Sequence, residues 1–401
     1  MSILVINAGS SSLKFGLFDP EAREMLGSGL IDWTADPGQA DLVIRPRQGE
    51  AQRSRVNVAD HREAAVQALR SLGGLHPGPE AAPSVVGHRI VHGGTTFRES
   101  VRIDGEVKAA IARLGELAPL HNPPALQGIE AAESALPGVP QVAVFDTTFF
   151  VHLPACAHVY PLPYEWYTEW GIRRFGFHGI SHSYCSRRAA EFLRRDPAGL
   201  RLVICHLGNG CSATAVRGGQ PVNHSMGFTP MEGLMMGTRS GSVDPGILLY
   251  VQQHRGMTAG QLDQILNHKS GLLGVSGVSS DFRGVEAAAD QGNPRARLAL
   301  EIYAARVRST IGALTVSLGG MDALVFTAGV GEHSASLRAA ACTGLECLGV
   351  RLDPDQNQSC QPDADIAAAD SPARVVVLHT QEELMIAQEA RRVAGAGRRS
   401  S

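Results

Sequence analysis

Residues Val5–Phe15 read VINAGSSSLKF, and a second stretch with the same grammar, Leu202–Val216, reads LVICHLGNGCSATAV. In each, an apolar run ends in a polar residue, a turn of small donor-rich residues follows, and an extended run resumes. Phe15 and Leu17 alternate with Lys14 and Gly16, the period of a half-buried strand. Two such hairpins about half a chain apart are read as the trace of two related halves. Each turn carries two readings. The N–H groups and hydroxyls of Gly9–Ser12 can converge on a phosphate, or these residues simply close a hairpin. A Walker loop is excluded. GxxxxGK[ST] requires glycine where Leu13 precedes Lys14, and this turn leads into a strand rather than a helix.

Working outward, four more apolar runs read as strands. Ser84–Gly87 leads into HRIVHGG, Val142–Phe145 into Asp146, Asp322–Phe326 into TAGVGEHS, and Arg374–Leu378 into HTQEELMIAQEARR. Polar or glycine-rich residues follow each run, where α/β proteins place ligands. Helical patterns fall at Ala64–Leu72, Tyr184–Arg195 and Arg295–Leu318, so strands alternate with helices and the class is α/β. Gly73–Pro83 (GGLHPGPEAAP) reads as a surface loop, and the tail after Arg392 as frayed.

Composition bounds the function. The 401 residues leave room for two large domains, and 44% hydrophobic with 19% charged residues is ordinary for a globular chain. No apolar run approaches the length of a membrane helix. The first residues show neither a basic segment nor a long apolar one, so the expectation is a cytoplasmic protein. The seven cysteines form no CxxC pair, which argues against a disulfide framework or a structural zinc site. A net charge of −3 with both signs mixed gives no electrostatic case for nucleic acid or an anionic membrane. Of 36 basic side chains only Lys14, Lys108 and Lys269 are lysines, so cationic chemistry rests on arginine.

HLGNG at 206–210 is a second candidate phosphate loop, because Gly208 and Gly210 permit close backbone approach. TAGVGEHS at 327–334 follows a strand and opens a helix, where free N–H groups can meet a nucleotide. GHRIVHGG sets Arg89 and His92 at a strand end. LHNPPA sets His121 and Asn122 before a Pro-Pro helix start. Arg173, Arg174, His178 and His182 lie in RRFGFHGISH, and Arg239 lies in GTRSG. A surface arginine pair contributes less than ~1 kcal/mol, but a guanidinium among glycines suits bidentate capture of an anion. His178 and His182 are four apart, yet Gly179 between them excludes HExxH. Asp146 ends a strand. Glu382 and Glu383 open the last helix, either as helix-start charges or as ligands of Mg²⁺, which takes one or two carboxylates besides substrate phosphates.

The motifs VINAGSSSLKF, VGHRIVHGG, HNPP, FDTTF, RRFGFHGISH, HLGNGCS, SMGFTPMEGLMMGTRSGSVDPG, SSDFRG, TAGVGEHS and EELMIA occur in that order. From Ile3 to about Ala390 the chain resembles the acetokinase family. The resemblance implies two similar ribonuclease H-like α/β domains of the sugar kinase, Hsc70 and actin superfamily, with an interdomain cleft. It implies a discontinuous first domain, 1–148 plus 384–401, and a second domain, 149–383, that carries the nucleotide site and the dimer interface of a homodimer. The implied reaction is reversible transfer from ATP to acetate, giving ADP and acetyl phosphate, with Mg²⁺ or Mn²⁺.

Carried over by motif, Asn7 and Glu382 hold the metal. Arg89 grips acetate or acetyl phosphate, Arg239 and His178 stabilise the phosphoryl group, and Asp146 orients or balances them. His121, His206, Leu207, Gly208, Asn209, Gly210 and Lys14 serve the phosphates. Asp281, Phe282, Arg283, Gly329, Val330, Gly331 and Glu332 bound the adenosine. Val91, Leu120, Phe177 and Pro230 take the acetate methyl. Phosphoryl transfer to a carboxylate needs alignment and charge neutralisation but no general base, which fits this cast. The chain departs from the family pattern at Gly241-Ser242-Val243-Asp244, where GDxDP is commoner. It departs again at Phe150, at Asn223-His224 and at Gln381. Rival readings are a propionate kinase, a pyrophosphate-dependent enzyme and a nucleotide-switched binding protein.

Overall fold

The computed structural model describes residues 2–9, 12–33, 38–75 and 82–396. Ser10 and Ser11 of the opening turn, residues 76–81 of the expected surface loop and the tail 397–401 lie outside the described residues. The chain divides into two compact units, Met1–Val151 with Gln381–Ser401, and His152–Thr380.

The first unit holds an eight-stranded sheet: β1 (Ser2–Ala8), β2 (Ser12–Phe18), β3 (Met25–Asp32), β4 (Gly38–Pro46), β5 (Gln52–Val58), β6 (Pro83–Ile90), β7 (Val101–Arg102) and β8 (Gln141–Phe145), in the order β5-β4-β3-β2-β1-β6-β8-β7. β1 pairs antiparallel with β2 and parallel with β6, which pairs parallel with β8. The second unit holds β9 (Arg201–Leu207), β10 (Cys211–Arg217), β11 (Gln220–His224), β12 (Ala323–Thr327), β13 (Ala364–Asp365) and β14 (Arg374–Val377), in the order β11-β10-β9-β12-β14-β13. β9 likewise pairs antiparallel with β10 and parallel with β12, and β12 pairs parallel with β14. β3-β2-β1-β6-β8 and β11-β10-β9-β12-β14 are therefore one topology used twice. The two hairpins singled out in the sequence are its first two strands in each unit.

Burial explains why these runs became central strands. β1 is buried along its whole length, and Leu4, Ile6, Leu13, Phe15 and Leu17 form one cluster with Ala64, Ala65 and Ala68 of helix His61–Arg70. Each such Leu, Ile or Phe contributes about 1.5–3 kcal/mol by leaving water. A second cluster joins Ile90, Ile111, Ile129 and Phe145, with Phe97 stacked on Phe145 at 4.3 Å. The last helix, Glu382–Ala396, lies against β6. A Cβ at Gly87 would stand 2.8 Å from Ile386 Cγ2 and 3.1 Å from Ala390 Cβ, so glycine there lets the helix approach. In the second unit, helix Pro294–Leu318 buries Val307, Ile311, Leu314 and Leu318 at three- and four-residue intervals, and Asn293 caps its start through Arg295 N and Ala296 N.

Several expectations are corrected. Strands β3, β4 and β5 add to the expected set; MLGSGLID is broken by two glycines and QRSRVNV is an exposed polar edge, so neither shows a clean strand period. His206 and Leu207 belong to β9, not to a turn. Gly73–Leu75 lies in a short helix that buries Leu75, and Pro83 opens β6, so only the middle of that segment was a loop candidate. Residues 149–151 and 381–383, which the expected boundaries place in the second domain, belong to the first unit. The last helix begins at Glu382, and its first turn reaches Asn7 and Arg89.

Candidate active site

In the first unit, the parallel ladder aligns Ile6 with His88 and Arg89 with Val144. Asn7, Arg89 and Asp146 thereby come to the carboxyl ends of three adjacent strands. Arg89 Nε and Nη2 donate to Asp146 Oδ2 at 3.0 and 2.7 Å. Arg89 Nη1 donates to Asn7 Oδ1 at 3.3 Å and lies 3.8 Å from Glu382 Oε2, while Asn7 Nδ2 donates to Glu383 Oε1 at 3.4 Å. Burial alone would favour the neutral guanidine, but Asp146, then Glu382 and Glu383, hold Arg89 charged beyond its ordinary range. The family resemblance implies that Arg89 grips the substrate carboxylate. Much of its fork is already engaged by fully buried Asp146, so what it offers a ligand is the remaining donor capacity on the Nη1 and Nη2 side.

Lys14 pairs directly across from Asn7 and is exposed. Directly opposed residues share a face of the sheet, so Lys14 flanks the cluster. Asn122 has a structural role that the HNPP motif does not announce. Its Oδ1 accepts from His92 N (3.1 Å) and its Nδ2 donates to His92 O (3.0 Å). Thr147 Oγ1 accepts from Gly93 N at 3.0 Å. These ties hold the Val91–Gly94 loop to the HNPP and DTTF motifs. The only signal for them was a buriable amide ahead of Pro-Pro. His121 and Leu120 are half-buried at the start of helix Asn122–Ala135. The oxygens of Asn7, Glu382 and Glu383 are hard donors of the kind a divalent Mg²⁺-like ion takes. Among the described residues no group of three or more His, Cys, Asp or Glu could hold a metal, so such an ion would draw its other ligands from substrate and water.

In the second unit, His178 caps helix Gly179–Leu193 in the left-handed region, φ 57° and ψ 27°. A non-glycine residue held there stores about 1–3 kcal/mol of strain, and such strain concentrates at functional sites. Its Nδ1 lies 2.9 Å from Ser212 Oγ, and its ring stacks on His206 at 4.4 Å. His206 Nδ1 meets Ser181 Oγ at 2.8 Å. Arg239 Nη1 donates to Pro230 O at 2.5 Å. A Cβ built on Gly210 would lie 2.6 Å from Arg239 Nη2 and 3.2 Å from His178 Nε2, so both donors point at one patch of bare backbone. Asn209 interlocks with the arginine loop through its carbonyl, which accepts from Gly237 N at 3.1 Å. Burial draws Arg239 below its usual range, and among the described residues no carboxylate forms an ion pair with it.

The loop that carries Pro230 is pinned from outside. Arg174 Nη1 donates to the carbonyls of His224, Ser225 and Met226 at 3.1–3.2 Å, and Nη2 donates to Glu232 Oε1 at 2.7 Å. Tyr160 hydrogen-bonds Glu232 and accepts from Phe228 N at 2.9 Å. Arg174 is thus a brace rather than an anion ligand, and Tyr160 and Glu232 were not foreseen.

The adenosine set divides differently from expectation. Asp281 caps helix Phe282–Asp290 and pairs with exposed Arg283 at 2.6 Å. Phe282 is core, edge-on to Tyr303 at 5.3 Å, and Leu207 is wholly buried in β9. Glu332 turns inward, accepting from Ala328 N (2.9 Å), Thr380 N (3.1 Å) and His379 Nδ1 (2.7 Å). Burial would raise its pKa, but His379 and these backbone donors outweigh that and keep it ionised. Phe282, Leu207 and Glu332 can therefore serve a ligand only through backbone. Gly329, Val330 and Gly331 form the short helix Ala328–His333 after β12. Phe177 is buried, its N–H on His224 Nε2 at 3.1 Å, and Val91 is buried as well, leaving Leu120 and Pro230 the more open of the apolar four.

Two sheets of one topology, each presenting donor-bearing loops at the carboxyl ends of its parallel strands, place the molecule in the sugar kinase, Hsc70 and actin class of phosphotransferase fold. The model of the acetokinase family matches residues 2–388. A protein of Cyanothece sp. described as acetate kinase is 53% identical over 97% of both chains, and one of Gloeobacter violaceus is 54% identical over 97% of this chain and 98% of its own. The crystal structure of Porphyromonas gingivalis acetate kinase superposes with a TM-score of 0.88 at 41% identity, and that of a propionate kinase from Francisella tularensis with 0.90 at 37%. Each covers 98% of this chain and 99% of its own. The chain belongs to the acetokinase family. The activity of that family is acetate kinase activity, with ATP and ADP as the nucleotides and a divalent metal.

Proposed function

We propose that this chain transfers the terminal phosphoryl group of ATP directly to acetate, reversibly and with Mg²⁺ (or Mn²⁺), through the groups described above. The observation that carries this reading is the convergence of His178 and Arg239 on bare Gly210, with Arg239 buried and lacking a carboxylate partner among the described residues. A buried cation without a countercharge is costly, and a phosphoryl oxygen supplies the missing charge. Arg239 and His178 neutralise charge on the transferring group. The N–H groups of Gly208–Gly210, together with His206, His121 and Lys14, serve the phosphate chain. Gly329–Gly331, Asp281 and Arg283 bound the adenosine. Arg89, kept ionised and aimed by Asp146, meets the carboxylate or acetyl phosphate, and Val91, Leu120, Phe177 and Pro230 receive the methyl. Asn7 and Glu382 would hold the cation, which supplies charge neutralisation to the phosphates. The acceptor is already an anion at pH 7, so no residue needs to remove a proton.

A hydroxamate assay with ATP and acetate tests this, and no acetyl hydroxamate would sink it. Propionate is run alongside because one solved relative is described as a propionate kinase, and pyrophosphate tests the donor. Asn7→Ala is expected to raise the Mg²⁺ concentration for half-maximal rate about ten-fold, since the cation loses one oxygen and Arg89 one acceptor. A Mg²⁺ titration that overlays the parent would remove Asn7 from the metal site.

The homodimer implied by family resemblance is proposed to form on the second unit. Helix Pro245–Arg255 buries none of its residues, and Val243, Ile247, Leu249 and Tyr250 stand 41–58% exposed. Sedimentation is expected to give twice the chain mass for the parent and single chains for Leu249→Asp. A parent that sediments as single chains overturns the assignment. A cytoplasmic location is proposed because ATP is the donor.

A further inference from the structure

Ser212 is the second residue of β10 and is fully buried. Its one hydroxyl lies between two imidazoles, 2.9 Å from His178 Nδ1 and 2.7 Å from His182 Nε2. A hydroxyl has a single proton to give and two lone pairs to accept with, so it donates to at most one of the rings. His182 is fully buried, and burial, with His224 and His206 close by, holds it neutral, its pKa well below the ordinary value. Behind it, His224 has a settled tautomer. Its Nε2 accepts from Phe177 N, so the proton sits on Nδ1, which meets Thr214 Oγ1 at 2.8 Å. Around His178 lie the stacked ring of His206, Arg239 beside Gly210 and, across Ser212, His182, whose ring in turn packs against His206 and His224.

On the reading that His178 meets the transferring phosphoryl group, its Nε2 must carry a proton, because phosphate oxygens only accept. In a neutral ring Nδ1 is then bare and must itself accept. We infer that Ser212 donates to His178 Nδ1 while accepting from His182 Nε2–H, and so fixes His178 as a neutral ring whose proton is on Nε2. Ser212 and His182 are positioning residues: neither touches substrate, and together they decide where the proton of His178 sits. The left-handed backbone of His178 aims the ring, and the Ser212 hydroxyl chooses which of its nitrogens is the donor. The opposite arrangement, with a protonated Nδ1 donating to Ser212, would leave a neutral His178 with nothing to give at Nε2.

Two measurements test this. In the parent enzyme saturated with acetyl phosphate, which cannot turn over without ADP, nitrogen-15 NMR of His178 (assigned by loss of its signals in His178→Gln) is expected to show a bare Nδ1 and a protonated Nε2. A protonated Nδ1, with or without a proton on Nε2, overturns the inference. This readout needs no variant at Ser212 to fold. In steady state, Ser212→Ala is expected to lower kcat about ten-fold, the loss that follows when one neutral hydrogen bond no longer holds the donor in place. The KM values for acetate and ATP should stay within about two-fold, because ground-state contacts are untouched. Ser212→Thr keeps the hydroxyl and is expected to restore turnover. An unchanged kcat in Ser212→Ala, or a loss confined to KM, counts against it. Failure of the underlying reading looks different: His178→Ala would then leave turnover intact, whatever the NMR shows.

Discussion

Arg239→Ala is expected to reduce kcat by about a thousandfold or more, the range over which arginines supplied to a phosphoryl transition state act. The protein is expected to stay folded. Arg239 has no carboxylate partner among the described residues, so its removal leaves no orphaned anion. Only the Pro230 carbonyl loses a donor, a cost of roughly 1 kcal/mol. Arg239→Lys should recover little, because a single ammonium cannot reach both Pro230 and the patch above Gly210 as a planar fork does. Circular dichroism and a denaturation curve report the fold, and single-turnover transfer from acetyl phosphate to ADP reports the chemistry. Turnover within a few-fold of the parent would remove Arg239 from the reaction.

Asp146→Ala is expected to fail in the opposite manner, losing both stability and rate. Asp146 is fully buried and holds two donors of Arg89, whose side chain is itself only 15% exposed. Deleting one partner of such a pair leaves a charge in a poor dielectric, at a cost of roughly 3–5 kcal/mol. Of the two glutamates left near Arg89, Glu382 lies 3.8 Å away and Glu383 acts from farther off. Arg89 would turn toward Glu382 and leave both the substrate and the cation site in disorder. The expected result is a lower urea midpoint with an unchanged slope, and a fall in kcat/KM of about 10²-fold or more. Asp146→Asn retains an acceptor and should fall between. If Asp146→Ala keeps the parent midpoint, the pair is not holding this corner of the sheet. If it keeps the parent rate, the aim of Arg89 does not matter to the reaction.

The contrast between these two arginines was not legible in the sequence. Both stand after strands in polar loops, and both were assigned to anions. Arg89 is largely engaged because Asp146, 57 residues on, lies at the end of the adjacent parallel strand. Glu332 shows the same limit. Its place in TAGVGEHS suggests a ligand, yet its carboxylate is engaged by Thr380 and His379, about 48 residues away. Phe282 sits in a polar motif and packs in the core. Strand existence was easier to see where the run was uniformly apolar, as in β1, β9 and β12. It is hidden in β3, an interior strand broken by Gly27 and Gly29, and in β5, an edge strand that tolerates exposed arginine.

By itself the sequence determined that the chain is built twice on one hairpin-led α/β plan, that its donors follow strand ends, and which family it joins. Those properties are local or ordered along the chain, and periodicity and motif spacing record them directly. Only the tertiary structure decided which donors remain open to a ligand and which are satisfied within the protein. Hydrogen-bond partnerships among buried groups are set by which strands lie side by side and by a left-handed turn at His178, and neither is written in any one segment.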